Sequence, residues 1–482
     1  MGRHRPTNVP RDRFDFEHRP ATDQSFENAL EKARSGDRLS VADGVELIST
    51  GTEFEGIDPR RKERVLEAAD RRRAETVGED VTFVANLNNN VTTACNTGCL
   101  FCNFKDPATG FEDDPPTGHT GGPTGDGSDH DGFTKTPTES REIVRDAVER
   151  GIYEVCSVSG LHPAFALDEA HRAILEAAAG GTATGTASGT DPDATGLNYK
   201  PPEQYRTDPG TYVEQIAAMN VGGVHVHSMT PEEAAHARRG TDWSYEAVYG
   251  RLADAGLDTV PGTAAEILVD EVREVICPAK IDTRGWLDAM AGAAAVGLET
   301  TATIMYGHVE NEMHRVMHLE RVRALQDRTG AITEFVPLSF VHHDTPLNDR
   351  GMAEAGATAD EDELMIAVSR LFLDNVRNIQ SSWVKYGDEQ GLKMLSCGAN
   401  DLMGTILSEE ITKRAGGGFG EFRSVAEYVD LVTAIGRTPV ERSTDYRERR
   451  AIDPDDPPFG PTLGPEADGT PLVDTPSVPA GD

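Results

Sequence analysis

The sequence contains little lysine and no long apolar run. Only nine of its 482 residues are Lys, whereas 82 are Asp or Glu, and the formal net charge is −36. A surface this acidic repels nucleic acid and anionic lipid, so we expect neither as a partner. The absence of a run of about 18 apolar residues predicts that no helix spans a membrane. An excess of carboxylates with so little lysine is typical of a halophile-like protein that stays soluble in a salt-rich cytoplasm.

Cysteine is scarce as well. The chain has six Cys, too few for a disulfide framework in a protein of this length. The first residues, Met-Gly-Arg-His-Arg-Pro, lack the apolar core of a signal peptide. Both features predict a reducing, cytoplasmic location.

Three of the six cysteines, Cys95, Cys99 and Cys102, form a CxxxCxxC spacing within one short segment. This segment follows residues 81–86, whose β-branched and aromatic side chains predict a strand. Three close thiols could hold a [4Fe-4S] cluster and leave one iron open to a small molecule. A structural zinc site with a histidine as fourth ligand is an alternative, for which His119 and His130 are candidates. Three unrelated buried thiols are the remaining possibility.

From residue 81 onward, strand-like and helix-like patterns alternate. This alternation predicts a TIM-type (β/α)8 or closely related barrel. The candidate strands are 81–86, 152–158, 222–228, 257–261, 298–305, 333–338, 377–383 and 394–397, and the last two leave room for only a very short helix at 384–392. The predicted organisation is a disordered N-terminus (1–23), a helical extension (24–80), the barrel (81–450) with flexible insertions at 106–131 and 180–198, and a disordered tail (451–482).

Polar residues at the predicted strand ends are candidate site residues, because the carboxyl ends of barrel strands carry the active site. These candidates are Ser159 and Gly160, His225 and His227, Glu266, Tyr306 and His308, and Asn400. Strand alternation places His225 and His227 on one face, where they could bind substrate, transfer protons or serve as hydrogen-bonded core residues. Glu266 lies in an apolar stretch and therefore needs a partner or a ligand. Tyr306 and His308 fall at the end of the predicted strand 298–305, where catalytic polar groups are expected. Asn400 could bind a polar heterocycle or close a turn.

Several motifs together resemble one known family. They are the cysteine segment with Phe101 before its last Cys, GLHP, VHVHSM, PGTAAEIL, TTATIMYGHVE, EFVPLSF, SSWVK and CGANDLMGT. The cysteine segment is similar to the radical S-adenosyl-L-methionine (SAM) superfamily, and the whole set resembles the family of the second subunit of FO synthase. The pair Ser159-Gly160 departs from the two glycines usual in that family.

The resemblance implies a [4Fe-4S] cluster on Cys95, Cys99 and Cys102, with SAM on its open iron. It implies Phe101 near the adenine and Ser159-Gly160 near the methionine amino group of SAM. The implied reaction forms a 5′-deoxyadenosyl radical and transfers the 4-hydroxybenzyl group of L-tyrosine to 5-amino-6-(D-ribitylamino)uracil. FO synthase subunit 1 and an electron donor are the implied partners. Two alternatives stay open: a radical SAM enzyme of menaquinone biosynthesis, such as aminofutalosine synthase, and a zinc-stabilised binding protein without catalysis.

Overall fold

The structure is a computed structural model that describes residues 23–49, 51–52, 56–95, 97–104, 133–180, 208–343, 345–353, 355–407, 423–458 and 460–463. The predicted insertion at 106–131, all but the first residue of that at 180–198, and the predicted disordered N-terminus apart from Asp23 lie outside the described residues. His119 and His130 lie there too.

Helices and short strands alternate along most of the described chain. The helices are α1 (Asp23–Ser35), α2 (Val41–Ser49), α3 (Pro59–Val77), α4 (Pro137–Glu149), α5 (Glu169–Gly180), α6 (Tyr212–Met219), α7 (Pro231–Ala237), α8 (Tyr245–Asp254), α9 (Asp270–Ile276), α10 (Thr283–Ala295), α11 (Glu312–Thr329), α12 (Pro346–Asp349), α13 (Ala359–Phe372), α14 (Trp383–Leu395) and α15 (Val425–Ala434). The strands are β1 (Gly51–Thr52), β2 (Gly56–Ile57), β3 (Asp80–Val84), β4 (Asn86–Asn88), β5 (Glu154–Ser157), β6 (His225–Ser228), β7 (Thr259–Val260), β8 (Glu299–Tyr306), β9 (Ile332–Ser339), β10 (Asn378–Ile379), β11 (Asp401–Gly404), β12 (Thr438–Arg442) and β13 (Arg449–Ala451).

Parallel strands form a barrel. Seven of them make one sheet in the order β10-β9-β8-β7-β6-β5-β4, with every neighbouring pair parallel. Strand β11 and the residues just after it join the two edges of this sheet, because Gln380 bridges to Asp401 on one side and Leu87 to Leu407 on the other. Helices between successive strands cover the outside, as parallel crossovers require. The predicted fold class is confirmed.

The amino-terminal end of the barrel is closed by a part of the chain that the sequence did not reveal. Strand β12 runs parallel to β3 and is followed antiparallel by β13. Its last residue, Arg442, is buried and donates to Asp401 at 2.8 Å and to Glu334 at 3.2 Å. The two carboxylates around this guanidinium offset the free-energy cost of burying its charge. The carboxyl end, which carries the cysteines, is therefore the end with the candidate site.

The predicted strand at 394–397 and the very short helix before it are wrong. Helix α14 extends to Leu395, and the last barrel strand begins at Asp401. Met394, Leu395 and Cys397 are fully buried, because they lie at the inner end of a helix and the turn after it. A short apolar run fits a buried strand or a buried helix end equally well, and here the helix is the correct interpretation.

Part of the predicted disordered tail is packed. Ile452 is buried, and the backbone N–H of Thr462 donates to the buried carboxylate of Glu441. Residues 464–482 lie outside the described residues.

Helices α1–α3 pack on the outer helical layer. Asp58 caps α3 by accepting from the backbone of Arg60 at 2.8 Å, with Pro59 in the first helical position. Lys62 of α3 pairs with Glu363 of α13 at 2.7 Å. Among the residues described, none of the helices combines the length and apolar character needed to span a bilayer.

Candidate active site

The cysteine loop (residues 89–104) follows β4 at the carboxyl end of the barrel. Neighbouring loops hold its backbone in place: Gly160 N–H donates to Thr92 O at 2.8 Å, and Leu100 N–H donates to Ile276 O at 2.8 Å. The loop after β9 adds a third bond, from Leu347 N–H to Leu100 O at 2.9 Å. The loop is thus fixed by segments that follow β5, β7 and β9.

The thiols of this loop lie close to one another. Burial raises the pKa of Cys99 well above its usual value; the positive charge of Lys280 opposes this, and the thiols of Cys102, Cys277 and Cys95 reinforce it. The Cys95 thiol also lies 3.0 Å from the Thr97 hydroxyl.

The thiols provide the donor set of an iron–sulfur cluster. A cluster binds each thiolate through a different iron, so its ligands do not converge on one point. Three soft thiols in one loop, without a carboxylate among them, match the ligand chemistry of that cluster.

A buried lysine lies beside the cysteine loop. Lys280 Nζ pairs with Glu266 at 2.8 Å and lies 5.1 Å from the centre of the Phe101 ring. Burial opposes the charge of Lys280, but Glu266, Cys99 and other nearby groups raise its pKa above the usual value. The structure therefore brings Glu266 and Phe101 to the same place. Sequence reasoning missed Lys280, although a lysine close after a cysteine is conspicuous in a chain with nine lysines.

Ser159 and Gly160 pack against the cysteine loop from β5. The Ser159 hydroxyl accepts from the Val91 backbone at 2.7 Å. Its backbone bonds to Glu233, whose pKa is raised to about 7 because burial outweighs the hydrogen bonds from Thr230 and Ser159. The hydroxyl of Ser159 thus fixes the start of the cysteine loop.

His225 and His227 lie on the same face of β6, as predicted from strand alternation. His225 Nε2 lies 2.8 Å and His227 Nδ1 lies 2.7 Å from the same atom, Thr259 Oγ1 of β7. Burial lowers the pKa of His227 to about 4. In register, His225 neighbours Glu154, which bonds to Asn86 and belongs to the polar barrel interior.

Tyr306 does not face the barrel interior. It is fully buried between the sheet and the helices, where its hydroxyl bonds to Asp362 of α13 at 2.7 Å and to Tyr386 of α14 at 2.9 Å. Successive side chains of a strand point to opposite faces, so the side chain of Met305 faces the interior instead. A catalytic role for Tyr306 is not supported by this position.

His308 follows β8, but its side chain contacts neighbouring residues of the same segment. Nε2 lies 3.0 Å from Met305 O, and Nδ1 lies 3.1 Å from Glu310, which also pairs with Arg315 at 2.7 Å. The imidazole is completely buried. This arrangement is structural and does not support the expected catalytic role.

Asn400 lies at the wrong end of its strand for a substrate ligand. It immediately precedes β11 and is buried near the amino-terminal end of the barrel. Its amide oxygen accepts from Arg370 at 2.7 Å, and its amide nitrogen donates to Asn378 at 3.1 Å. This position does not support a role in substrate binding, because the prediction assumed a strand before Asn400 and the strand follows it.

The backbone at the carboxyl ends of several strands is strained. Met229 after β6, Glu266 after β7, and Met403 and Ile406 at the end of β11 all have positive φ, between 47° and 71°. Residues other than glycine rarely adopt this conformation, and it concentrates at functional sites. Four of the five described non-glycine residues with positive φ therefore lie at the end of the barrel that carries the cysteines, and the fifth, Tyr446, lies at the closed end.

Two family models match the chain. Residues 89–322 match the radical SAM superfamily, and residues 329–454 match the CofH/MqnC C-terminal region. The first match begins with the cysteine loop, and the second contains β11 and most of the segment that closes the barrel.

Curated relatives match almost the whole chain. The 5-amino-6-(D-ribitylamino)uracil–L-tyrosine 4-hydroxyphenyl transferase of Haloarcula marismortui is 70% identical over 95% of this chain and 97% of that protein. The protein of the same name from Halobacterium salinarum is 66% identical over 97% of this chain and 99% of that protein. The FO synthase of Mycobacterium leprae is 36% identical over 81% of this chain, but over only 38% of its own length.

Solved structures with similar architecture include two proteins of low sequence identity. HydG, a maturase of the [FeFe]-hydrogenase, has a TM-score of 0.56 at 14% identity and matches 89% of this chain and 78% of that chain. Methylornithine synthase (PylB) has a TM-score of 0.53 at 16% identity and matches 85% of this chain and 97% of that chain. These likenesses support the barrel fold.

Proposed function

Because the chain belongs to the 5-amino-6-(D-ribitylamino)uracil–L-tyrosine 4-hydroxyphenyl transferase family of the radical SAM superfamily, we propose that it joins the 4-hydroxybenzyl group of L-tyrosine to 5-amino-6-(D-ribitylamino)uracil in the biosynthesis of the deazaflavin FO. The observation that carries this proposal is 70% identity to a curated transferase over 95% of the chain.

The cluster ligands in this proposal are Cys95, Cys99 and Cys102, which share one ordered loop and interact electrostatically. When bound, the cluster and SAM supply a radical that removes a hydrogen atom from the amino group of tyrosine. The protein orients the reactants and excludes water from them. Lys280 adds a buried positive charge beside Cys99, which offsets part of the negative charge of thiolate ligands.

We assign the SAM side of the site to Phe101, Ser159, Gly160 and Glu266. Phe101 and Glu266 meet at Lys280, and Ser159 and Gly160 contact the cysteine loop directly. All four thus lie around the cysteine loop. His225 and His227 belong to the barrel interior, and we assign them to the substrates.

The transferase is favoured over the alternatives. The C-terminal family model is shared with the menaquinone route, but the relatives at 66% and 70% identity carry the transferase name. The zinc alternative relied on His119 or His130, which lie outside the described residues, whereas the match to the radical SAM superfamily favours a cluster on the three cysteines.

A second enzyme unit is part of the proposal. The FO synthase of Mycobacterium leprae is much longer than this chain, which matches only 38% of it. We propose that the part of that protein which this chain does not match corresponds to FO synthase subunit 1, a separate partner of this chain. An external electron donor is required as well, because the cluster must be reduced before each cleavage of SAM. The cytoplasmic location stays a prediction.

The test is an anaerobic assay of the reconstituted and reduced protein with SAM, tyrosine and the diaminouracil. We expect 5′-deoxyadenosine and a product whose mass equals the diaminouracil plus a 4-hydroxybenzyl group in place of hydrogen. Omission of tyrosine should abolish that product. Product formation from a futalosine precursor instead of the diaminouracil would reject the assignment.

The ligand assignment is tested by Cys99→Ala, which should lose both the brown colour of the cluster and cleavage of SAM. Cys397→Ala is the matched control, because Cys397 is also buried but bonds to Lys393 O within α14 and the turn after it. The control should keep its iron and sulfide content. Retention of a full cluster by Cys99→Ala would refute the assignment.

A further inference from the structure

One hydroxyl group connects two histidines inside the barrel. Thr259 Oγ1 lies 2.8 Å from His225 Nε2 and 2.7 Å from His227 Nδ1. Both Thr259 and His227 are buried, with exposed fractions of 4% and 8%. Thr259 was not among the candidate residues derived from the sequence, where it was only part of a strand.

The shared hydroxyl constrains the hydrogens on both rings. A threonine hydroxyl has one hydrogen and two acceptor lone pairs, so it can donate to at most one ring nitrogen, and at least one of the two facing nitrogens must carry hydrogen. In the arrangement that connects the two rings, the hydroxyl donates to one nitrogen and accepts from the other, which then carries hydrogen. Burial lowers the pKa of His227 to about 4, so this ring is neutral near pH 7 and holds a single ring hydrogen.

The connected groups run along the barrel axis. His225 is the first residue of β6 and His227 is two residues closer to the carboxyl end, where the cysteine loop lies. At the other end, His225 interacts electrostatically with Asp445, which follows β12 at the closed end of the barrel. Glu154 and Arg442 are the other charged groups whose fields act on His227.

We propose that His227, Thr259 and His225 form a proton relay that takes a proton from the tyrosine amino group and carries it toward the amino-terminal end of the barrel. This inference rests on the proposed function. The amino group of free tyrosine is an ammonium group near neutral pH, and one proton must leave it before the neutral amine can give up a hydrogen atom. No oxidant or reductant is consumed by this step.

The relay fixes a starting arrangement of hydrogens. His227 is bare at Nε2, which accepts the incoming proton, and carries hydrogen at Nδ1, which donates to Thr259 Oγ1. The Thr259 hydroxyl donates to the bare Nε2 of His225, and the Nδ1 proton of His225, which is only half-buried, leaves to solvent water. When one proton passes through the relay, each hydrogen in it moves to the next group along. Both histidine rings then carry their hydrogen on Nε2 instead of Nδ1. Thr259 is therefore a positioning residue, and His227 is the group that meets the substrate.

The first test compares Thr259→Val, which removes the hydroxyl at nearly constant shape, with Thr259→Ser, which keeps it. We expect Thr259→Val to lower the rate of product formation by about 100-fold, the lower end of what positioned proton-transfer groups contribute, and Thr259→Ser to stay within about 5-fold of the wild type. Equal losses in both variants, or full activity of Thr259→Val, would overturn the relay. If the wild type itself forms no product, the proposed function fails, and the next measurement still judges the relay.

The second test is ¹⁵N NMR of protein labelled at histidine, which distinguishes the two neutral tautomers without any cofactor. We expect hydrogen on Nδ1 of both His225 and His227, with signals assigned from single histidine variants. Hydrogen on Nε2 of either ring would contradict the relay.

Should Thr259→Val fail to fold, His225→Ala provides the remaining activity test. The relay predicts that added imidazole, which can occupy the vacated space, restores product formation to His225→Ala and not to Cys99→Ala. Lack of rescue in a folded His225→Ala protein would overturn the relay.

Discussion

At the scale of single residues, the contact between two loops decides whether the cysteines are positioned correctly. A Cβ atom on Gly160 would lie 2.5 Å from Ala94 O and 3.1 Å from Thr92 O, both backbone atoms of the cysteine loop. Backbone cannot move aside as a flexible side chain can, so the loop itself would have to shift. The glycine is therefore required by close approach rather than by its own φ.

We expect Gly160→Ala to displace the cysteine loop and to lower the iron content of reconstituted protein by at least half, because the ligands tolerate only small errors of about 0.5 Å. Iron and sulfide analysis with the visible spectrum of the cluster measures this. Gly250→Ala is the control: Gly250 lies in α8, its Cβ would meet nothing nearer than Val296 at 4.0 Å, and its iron content should not change. Normal iron content in Gly160→Ala would contradict this prediction, because it would mean that the cysteine loop accommodates the added methyl group without losing its cluster.

At the scale of secondary structure elements, α14 contains a break that orients two aromatic residues. Gly387 has φ 74° and ψ 178°, a conformation essentially restricted to glycine. Before the break, Trp383 donates to Gly404 O at 3.3 Å, and Tyr386 donates to Pro337 O at 3.2 Å. The break thus attaches the start of α14 to both β9 and β11.

Gly387→Ala should lower the free energy of unfolding by about 1–3 kcal/mol, the cost of holding a residue with a Cβ in such a conformation. Denaturant unfolding in high salt measures the change. In the same helix, Gly391→Ala is the control, because its Cβ would meet Trp383 at an ordinary 3.5 Å. This control should be neutral or stabilising by up to about 1 kcal/mol. Equal stability of both variants would contradict the role of the break.

Elements whose patterns are local could be predicted from the sequence. The strands from β4 to β9 alternate with helices, most of which begin at a capping residue that the sequence shows, and the cysteine spacing depends on one loop alone. The closing strand β12 could not be foreseen, because its pairing with β3 joins residues more than 350 positions apart. Tyr306 and Asn400 were misplaced for a related reason: their roles depend on the phase and the start of a strand, and an error of one residue reverses the side chain's face.

Thr259 and Lys280 illustrate what remains hidden in the sequence. Each acts through a partner on another element, Thr259 through the histidines of β6 and Lys280 through Glu266 and the cysteine loop. Threonine in a strand and lysine in a loop are both common, so only the three-dimensional contacts distinguish these two from the others.

At the scale of the whole molecule, the large negative net charge is the feature with the greatest consequence for stability. The chain has 82 acidic and 46 basic residues, which leaves a net charge of −36. Exposed ion pairs such as Arg71 with Glu75 contribute only about 0–1 kcal/mol each, so they do not offset the repulsion among the excess carboxylates. That repulsion acts over a Debye length of about 30 Å at 0.01 M salt and about 3 Å at 1 M.

We therefore expect the free energy of unfolding to fall on dialysis from about 2 M to about 0.05 M NaCl, since repulsion in the compact state is then unscreened. KCl should protect as well as NaCl, because screening depends on ionic strength. Glu31, Glu63, Glu142 and Asp254 are exposed carboxylates on different helices, and replacing them with the neutral amides reduces the net charge to about −32. The fourfold variant should unfold at higher temperature than the wild type in low salt and at the same temperature in high salt. A difference that persists in 2 M salt would show a local effect of the substitutions, and no difference at either concentration would mean that long-range repulsion does not limit the stability of this fold.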